Sequence, residues 1–87
     1  MATILEEASA AIYGARESDY GHPRQNFERI AAMWSVILGY EVTAPQAVLM
    51  MMAVKISRLS NSIDHRDSWV DIAGYAETGA RVLGLDP

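Results

Sequence analysis

The sequence of 87 residues contains no cysteine, which excludes disulfide bonds and thiolate metal sites. Lysine and arginine total 7 against 11 acidic residues, so the chain lacks the basic surface needed to bind a nucleic-acid polymer. No apolar run reaches the length of a membrane span, and the first residues do not form a basic, apolar signal peptide. We therefore expect a soluble, cytoplasmic protein that binds neither nucleic-acid polymers nor membranes.

The residues that are present have a globular composition, with 51% hydrophobic and 21% charged residues, enough for one domain over residues 1–87. Apolar side chains recur at helical spacing in four segments, residues 3–13, 27–38, 44–59 and 64–83. Thr3 with Glu6, and Thr43 with Gln46, have capping-box spacing at two of the helix starts. No segment predicts a strand. The sequence therefore predicts an all-α, compact four-helix bundle-like domain.

The predicted helices carry more apolar surface than one small bundle can bury. Three consecutive methionines, Met50, Met51 and Met52, point in different directions around the third helix. An exposed apolar face usually has a partner, so we expect homo-oligomerisation to complete the domain. The alternative is that methionine fills irregular gaps in the core. The third helix is predicted to face inward through Val48, Leu49, Met52, Ile56 and Leu59.

Acidic residues repeat at helical spacing at the start of the fourth helix. Asp67, Asp71 and Tyr75 are spaced i, i+4 and i+8 and so share one edge, with Asp64 one turn earlier. Carboxylates on successive turns can hold magnesium, which predicts Asp64, Asp67 and Asp71 as metal ligands. The alternative gives Asp64 to the helix N-cap and leaves Asp67 to complement the helix dipole.

Three cations are predicted near this edge. Lys55 and Arg58 lie on the third helix, and Arg66 opens the fourth. If these two helices pack as a hairpin, the cations approach the edge formed by Asp67 and Asp71. They could then clamp a phosphate, or they could form ordinary ion pairs on a solvated surface.

Aromatic and imidazole side chains complete the predicted ligand-binding set. The polar segment of residues 14–24 reads as a long loop, in which Tyr20 could stack on a base and His22 could contact a phosphate. The alternative makes His22 a turn residue, and His65 could likewise be a mere helix-start residue. Trp69 and Tyr75 are further candidates for stacking on a base. Two distant histidines without cysteine do not predict a zinc site.

Four blocks of the sequence resemble a small phage-associated all-helical domain. They are residues 20–23, 26–31, 55–59 and 65–75, and the resemblance covers nearly the whole chain. This resemblance by itself implies no activity.

A looser resemblance is to the MazG-type all-α nucleotide pyrophosphohydrolases. In that family a Glu-Glu-x-x-Glu helix and a Glu-x-x-Asp helix hold magnesium on a nucleoside triphosphate. Asp67 and Asp71 look like a variant of the second motif with one extra residue between the acids. The first motif is missing, and the corresponding helix offers Lys55 and Arg58. The exchange of acids for cations removes metal ligands but leaves groups that can hold phosphate directly.

Three functions follow from these observations. The first is a phage-type nucleotide-binding protein that captures a phosphorylated ligand, in one version resembling phage sponge proteins for nucleotide immune signals. The second is a magnesium-dependent nucleotide pyrophosphohydrolase in which Asp67 and Asp71 are catalytic. The third is a module that binds a host protein and has no small ligand. The incomplete metal-ligand set favours the first.

Overall fold

The computed structural model describes residues 2–14, 18 and 21–85, and these residues form four helices and no strand. The helices are α1 (Ile4–Tyr13), α2 (Pro23–Leu38), α3 (Ala44–Asn61) and α4 (Arg66–Leu83). The predicted all-α, four-helix fold is confirmed. None of the helices in this part of the chain has the length and hydropathy of a membrane span.

Both predicted capping boxes form. The Thr3 hydroxyl accepts from the amide of Glu6 at 3.1 Å, and the Glu6 carboxylate accepts from the amide of Thr3 at 2.9 Å. Thr43 and Gln46 repeat the arrangement at the start of α3, at 3.3 and 2.9 Å. Each box satisfies amide groups that the first helical turn leaves without partners.

The other two helices begin at places that differ from the prediction. The predicted loop of residues 14–24 extends too far, because α2 already begins at Pro23, where proline's fixed φ suits the first helical position. The predicted N-cap role of Asp64 is wrong. α4 begins at Arg66 with His65 at the N-cap, and the Asp64 carboxylate accepts from the Ser62 hydroxyl at 3.3 Å instead.

α4 packs against each of the other three helices and lies at the centre of the fold. Small residues permit this close packing: a Cβ added to Gly74 would lie 3.5 Å from Ile12, and one added to Gly79 would lie 3.5 Å from Val48. Ser68, also on α4, is fully buried. A hydrophobic core cluster lies among α2, α3 and α4 and contains Phe27, Ala31, Val42, Ala47, Val48 and Val82.

The turn from α2 to α3 is held by one glycine and one serine. Gly39 ends α2 in the left-handed region at φ 80°, a conformation that glycine adopts without steric cost. The Ser35 hydroxyl donates to the carbonyl of Ala31 and accepts from the amide of Val42, both at 2.7 Å. Ser35 thereby ties the last turn of α2 to the segment that leads into α3.

The inward face of α3 differs from the predicted one. Val48 and Leu59 are buried as expected, but Leu49 and Ile56 are 62% and 54% exposed in the single chain. The apolar residues of α3 lie on most sides of the helix, so their spacing in the sequence cannot show which of them face the core.

Replacement of Ser35 by alanine should lower the free energy of unfolding by about 1–2 kcal/mol, because the Val42 amide loses its acceptor inside the fold. Ser60→Ala is the matched control, since the Ser60 hydroxyl makes the same bond to the carbonyl four residues earlier but is exposed. Urea unfolding of both variants measures the difference. Equal losses in the two variants would contradict the role given to Ser35.

Glu6 should make the start of α1 sensitive to pH. The Thr3 amide, and then the Thr3 hydroxyl, hydrogen-bond to the exposed Glu6 carboxylate and hold its pKa below the usual value for glutamate. The stabilisation is therefore complete above the ordinary pKa and is lost as the pH falls through the lowered pKa of the folded state.

NMR titration of the Glu6 carboxyl group and amide exchange in α1 measure this effect. Glu6→Gln should retain the capping box, as Gln46 does, and lose the pH dependence of α1 protection. A Glu6 carboxyl group that titrates at the ordinary pKa would contradict the assignment.

Candidate functional site

A cleft of about 180 Å³ lies where α1, α3 and α4 meet. Four polar or aromatic groups reach its surface, from one residue of α3 and three of α4. The remaining wall is made of small and aliphatic side chains, so most of its surface is apolar. The complete lining is Ala8, Ala11, Ile12, Lys55, Val70, Asp71, Gly74, Tyr75 and Thr78.

The predicted approach of α3 to the acidic edge of α4 is observed for one cation. Lys55 Nζ lies 3.0 Å from Asp71 Oδ2, because α3 and α4 pack closely at this position. The Lys55 side chain is 13% exposed and the Asp71 side chain 43% exposed. The lysine side chain is therefore largely withdrawn from solvent, while the Asp71 side chain stays partly exposed. The same contact is also the ion pair expected if the cations of α3 have no role in phosphate binding.

Tyr75 lies on α4 where this helix packs against α3. Its ring packs edge-on against Phe27, with centroids 6.4 Å apart and planes at 88°. It lines the cleft, and it also lines an apolar groove between α3 and α4 that contains Met52 and Leu83. Part of the ring is thus committed to the core, and part is available to the cleft.

The other two predicted cations lie outside the cleft lining. Arg66 forms an ion pair with Glu7 and donates to the carbonyl of Ala2 at 3.0 Å, so it ties the start of α4 to the start of α1. Arg58 is exposed, one turn beyond Lys55. Lys55, Arg58 and Arg66 therefore do not form a single clamp in this conformation.

His65 and Trp69 stabilise the start of α4. His65 Nδ1 and the buried hydroxyl of Ser68 share a hydrogen bond of 2.7 Å. The Trp69 indole donates to the carbonyl of Ile63 at 2.9 Å, while nearly half of the residue stays exposed. Neither residue lines the cleft.

His22 has a local role at the start of α2. Its Nδ1 accepts from the amide of Arg24 at 3.1 Å, and Arg24 in turn donates to the carbonyl of Val82 near the end of α4 at 3.3 Å. His22 is thus the N-cap residue of α2, a local structural role that neither the phosphate-contact interpretation nor the turn interpretation predicted. Tyr20 lies outside the described residues.

The predicted magnesium ligands are not brought together. Within residues 2–14, 18 and 21–85, no group of three or more histidine or acidic side chains is placed to hold a metal ion. Asp64 and Asp67 are exposed, and of the three predicted acids only Asp71 lines the cleft. The metal site stays a prediction without support from this geometry.

The sequence patterns missed the apolar wall of the cleft and Thr78. Thr78 follows Asp71 by seven residues and Tyr75 by three, so the helical spacing used for those two residues would have identified it. Ala8 and Ala11 could not be identified in this way, because their place at the cleft depends on how α1 packs against α4.

The Lys55–Asp71 pair should contribute little to stability. A double-mutant cycle of Lys55→Met and Asp71→Asn in urea unfolding should give a coupling energy of about 0.2–1 kcal/mol, because Asp71 remains in contact with water. A coupling above about 3 kcal/mol would mean that the pair is needed to hold the fold together.

Comparisons with known proteins identify relatives of this chain in phages. It is 42% identical over 80 residues to the Gene 55 protein of Mycobacterium phage D29. This match covers 92% of this chain and 53% of the phage D29 protein. It is 43% identical over 75 residues to the Gene 55 protein of Mycobacterium phage L5, covering 85% and 48% respectively. The chain thus spans about half the length of the curated relatives it matches.

No solved structure matches the chain. The family model described as "Domain of unknown function (DUF6378)" matches residues 3–83. These findings confirm the resemblance to a small phage-associated helical domain, and they do not support the MazG-type resemblance. The chain belongs to the DUF6378 family.

Proposed function

We propose that this protein binds a phosphorylated, nucleotide-like ligand in the cleft among α1, α3 and α4. The observation that carries the proposal is the position of Lys55, which lines the cleft with a side chain that is 13% exposed and has its Nζ atom 3.0 Å from Asp71 Oδ2. Lys55 is the sole lysine in the sequence.

Stability alone gives a poor reason for a lysine at this position. Burial of a charged side chain is costly, and an ion pair with a carboxylate side chain that is 43% exposed returns little of that cost. An apolar side chain in the same place would pack against α4 without any desolvation of charge. A charged side chain that lines a largely apolar cleft is a candidate for ligand binding.

The two charges suit different parts of a nucleotide. An ammonium group binds phosphate oxygens, and a carboxylate accepts hydrogen bonds from ribose hydroxyls. Asp71 also repels a bare anion, so we expect the cleft to select a phosphate that carries a hydroxyl-bearing group beside it. Ala8 and Gly74 keep this part of the cleft wall free of bulky side chains, and Tyr75 offers an aromatic surface.

As a phage-encoded protein it would act as a sponge in the cytoplasm of the infected host cell and sequester a nucleotide immune signal. The relatives in phages D29 and L5 agree with this setting. The pyrophosphohydrolase alternative requires Mg²⁺ at Asp67 and Asp71, and the host-protein alternative requires no small ligand. Both are outcomes of the experiment below.

Lys55→Met should weaken binding of a phosphorylated nucleotide at least about tenfold, because a charge-assisted hydrogen bond contributes about 1.5–3 kcal/mol. Calorimetric titration with AMP, ADP-ribose and a cyclic dinucleotide measures the binding affinity. Adenosine, which lacks the phosphate, and inorganic phosphate, which lacks the nucleoside, are the control probes. We expect binding of at least one nucleotide and little binding of adenosine or phosphate.

Two glycine variants provide a matched pair for this titration. Gly74→Ala and Gly79→Ala each add one methyl group to α4 at an ordinary contact distance, but only Gly74 lines the cleft. Gly74→Ala should weaken nucleotide binding, and Gly79→Ala should not.

Three results would overturn the proposal. No binding of any nucleotide would favour the host-protein alternative. Unchanged affinity in Lys55→Met would remove the cleft from consideration. Cleavage of a nucleotide with Mg²⁺, lost in Asp71→Ala, would establish the enzyme instead of the binding protein.

A further inference from the structure

The outward surface of α3 carries no charge over most of its length. Lys55 is the sole charged residue between Ala44 and Ser57, and its side chain turns inward to Asp71. The opposite side of the helix, which we name the outer α3 face, is exposed in the single chain. It consists of Leu49, Met50, Ala53, Val54, Ile56 and Ser57.

The edge of α2 continues this apolar surface. Ile37 and Leu38 line a shallow depression together with Met50 of the outer α3 face. Met33 lies one turn before Ile37 and is also exposed. The surface therefore extends across both helices of the α2–α3 hairpin.

The exposed apolar residues form a patch that suits a protein–protein interface. Seven large apolar residues make up this surface, and each is between 39% and 77% exposed in the single chain. A contiguous exposed apolar patch of this kind marks an interaction site in a soluble protein, and a standard interface buries roughly 800 Å² on each partner. The residues are Met33, Ile37, Leu38, Leu49, Met50, Val54 and Ile56.

We infer that the outer α3 face binds a second copy of this chain in a two-fold symmetric dimer. Each copy carries a net charge of −4, so two copies repel each other overall, and an uncharged face is where they can meet without burying a like charge. The same face must serve both partners in a two-fold dimer, and an apolar, uncharged face is complementary to itself.

Ala53 fixes the geometry of this dimer. It lies at the middle of the outer α3 face, and its small side chain lets two α3 helices approach closely. When the helices cross antiparallel at Ala53, Leu49 lies opposite the partner's Ser57 and Met50 opposite the partner's Ile56. The first pair joins a bulky residue to a small one, and the second joins two large apolar residues. The cleft with Lys55 lies on the other side of α3, so the dimer does not depend on the proposed ligand.

Ala53→Glu tests the inference, because two carboxylates would face each other at the symmetry axis. Sedimentation equilibrium of the full chain should show a wild-type dimer of twice 9.6 kDa. The dissociation constant should rise at least about a hundredfold in Ala53→Glu, since facing like charges cost several kcal/mol. Ala10→Glu is the matched control, as an exposed helical alanine on α1 that should leave the dimer intact.

Two further measurements separate loss of the interface from loss of the fold. Ile56→Lys, at an exposed position, should also give a monomer with an unchanged helical circular dichroism spectrum. An equimolar mixture of Ala53→Glu and Ala53→Lys should recover a dimer, because opposite charges then meet at the axis. A monomeric wild type would overturn the inference, and so would a dimer that persists in both Ala53→Glu and Ile56→Lys.

Discussion

The structure depends on the close packing of three helices around α4. A helix that touches every other helix in so small a domain must leave room on several sides, and α4 does so with residues of little or no side chain. Ile12 of α1 packs against Gly74, and Val48 of α3 packs against Gly79. In each case a Cβ added to the glycine would lie in van der Waals contact with the neighbouring side chain. Ser68 is fully buried beside His65. These contacts set where the charged side chains of α3 and α4 meet.

Helix α3 has two sides that differ in charge. The side that packs against α4 carries Lys55 into an ion pair with Asp71 at the cleft. The other side, the outer α3 face, is exposed and has no charge near its centre at Ala53. The usual distribution puts charge outside and apolar residues inside, and α3 reverses it at both places. The proposed ligand binding would account for the first reversal, and the proposed self-association would account for the second.

The sequence predicted local structure well and tertiary placement poorly. The capping boxes at Thr3 and Thr43 depend on residues three positions apart, so their spacing was enough to identify them. The exposure of Leu49 could not be predicted, because apolar residues surround most of α3. Arg66 was expected near phosphate, but it pairs with Glu7, since α1 and α4 begin at the same end of the fold. Only packing between distant segments decides such pairings.

The most direct test of the central claim uses the sole lysine of the chain. Lysine labelled with ¹³C gives a single side-chain Cε–Hε signal in an NMR spectrum, which reports on Lys55 without assignment. Addition of a phosphorylated nucleotide should shift this signal in a saturable manner, and addition of the matching nucleoside should leave it in place. A lysine signal that stays unchanged while a nucleotide binds elsewhere on the protein would contradict the account.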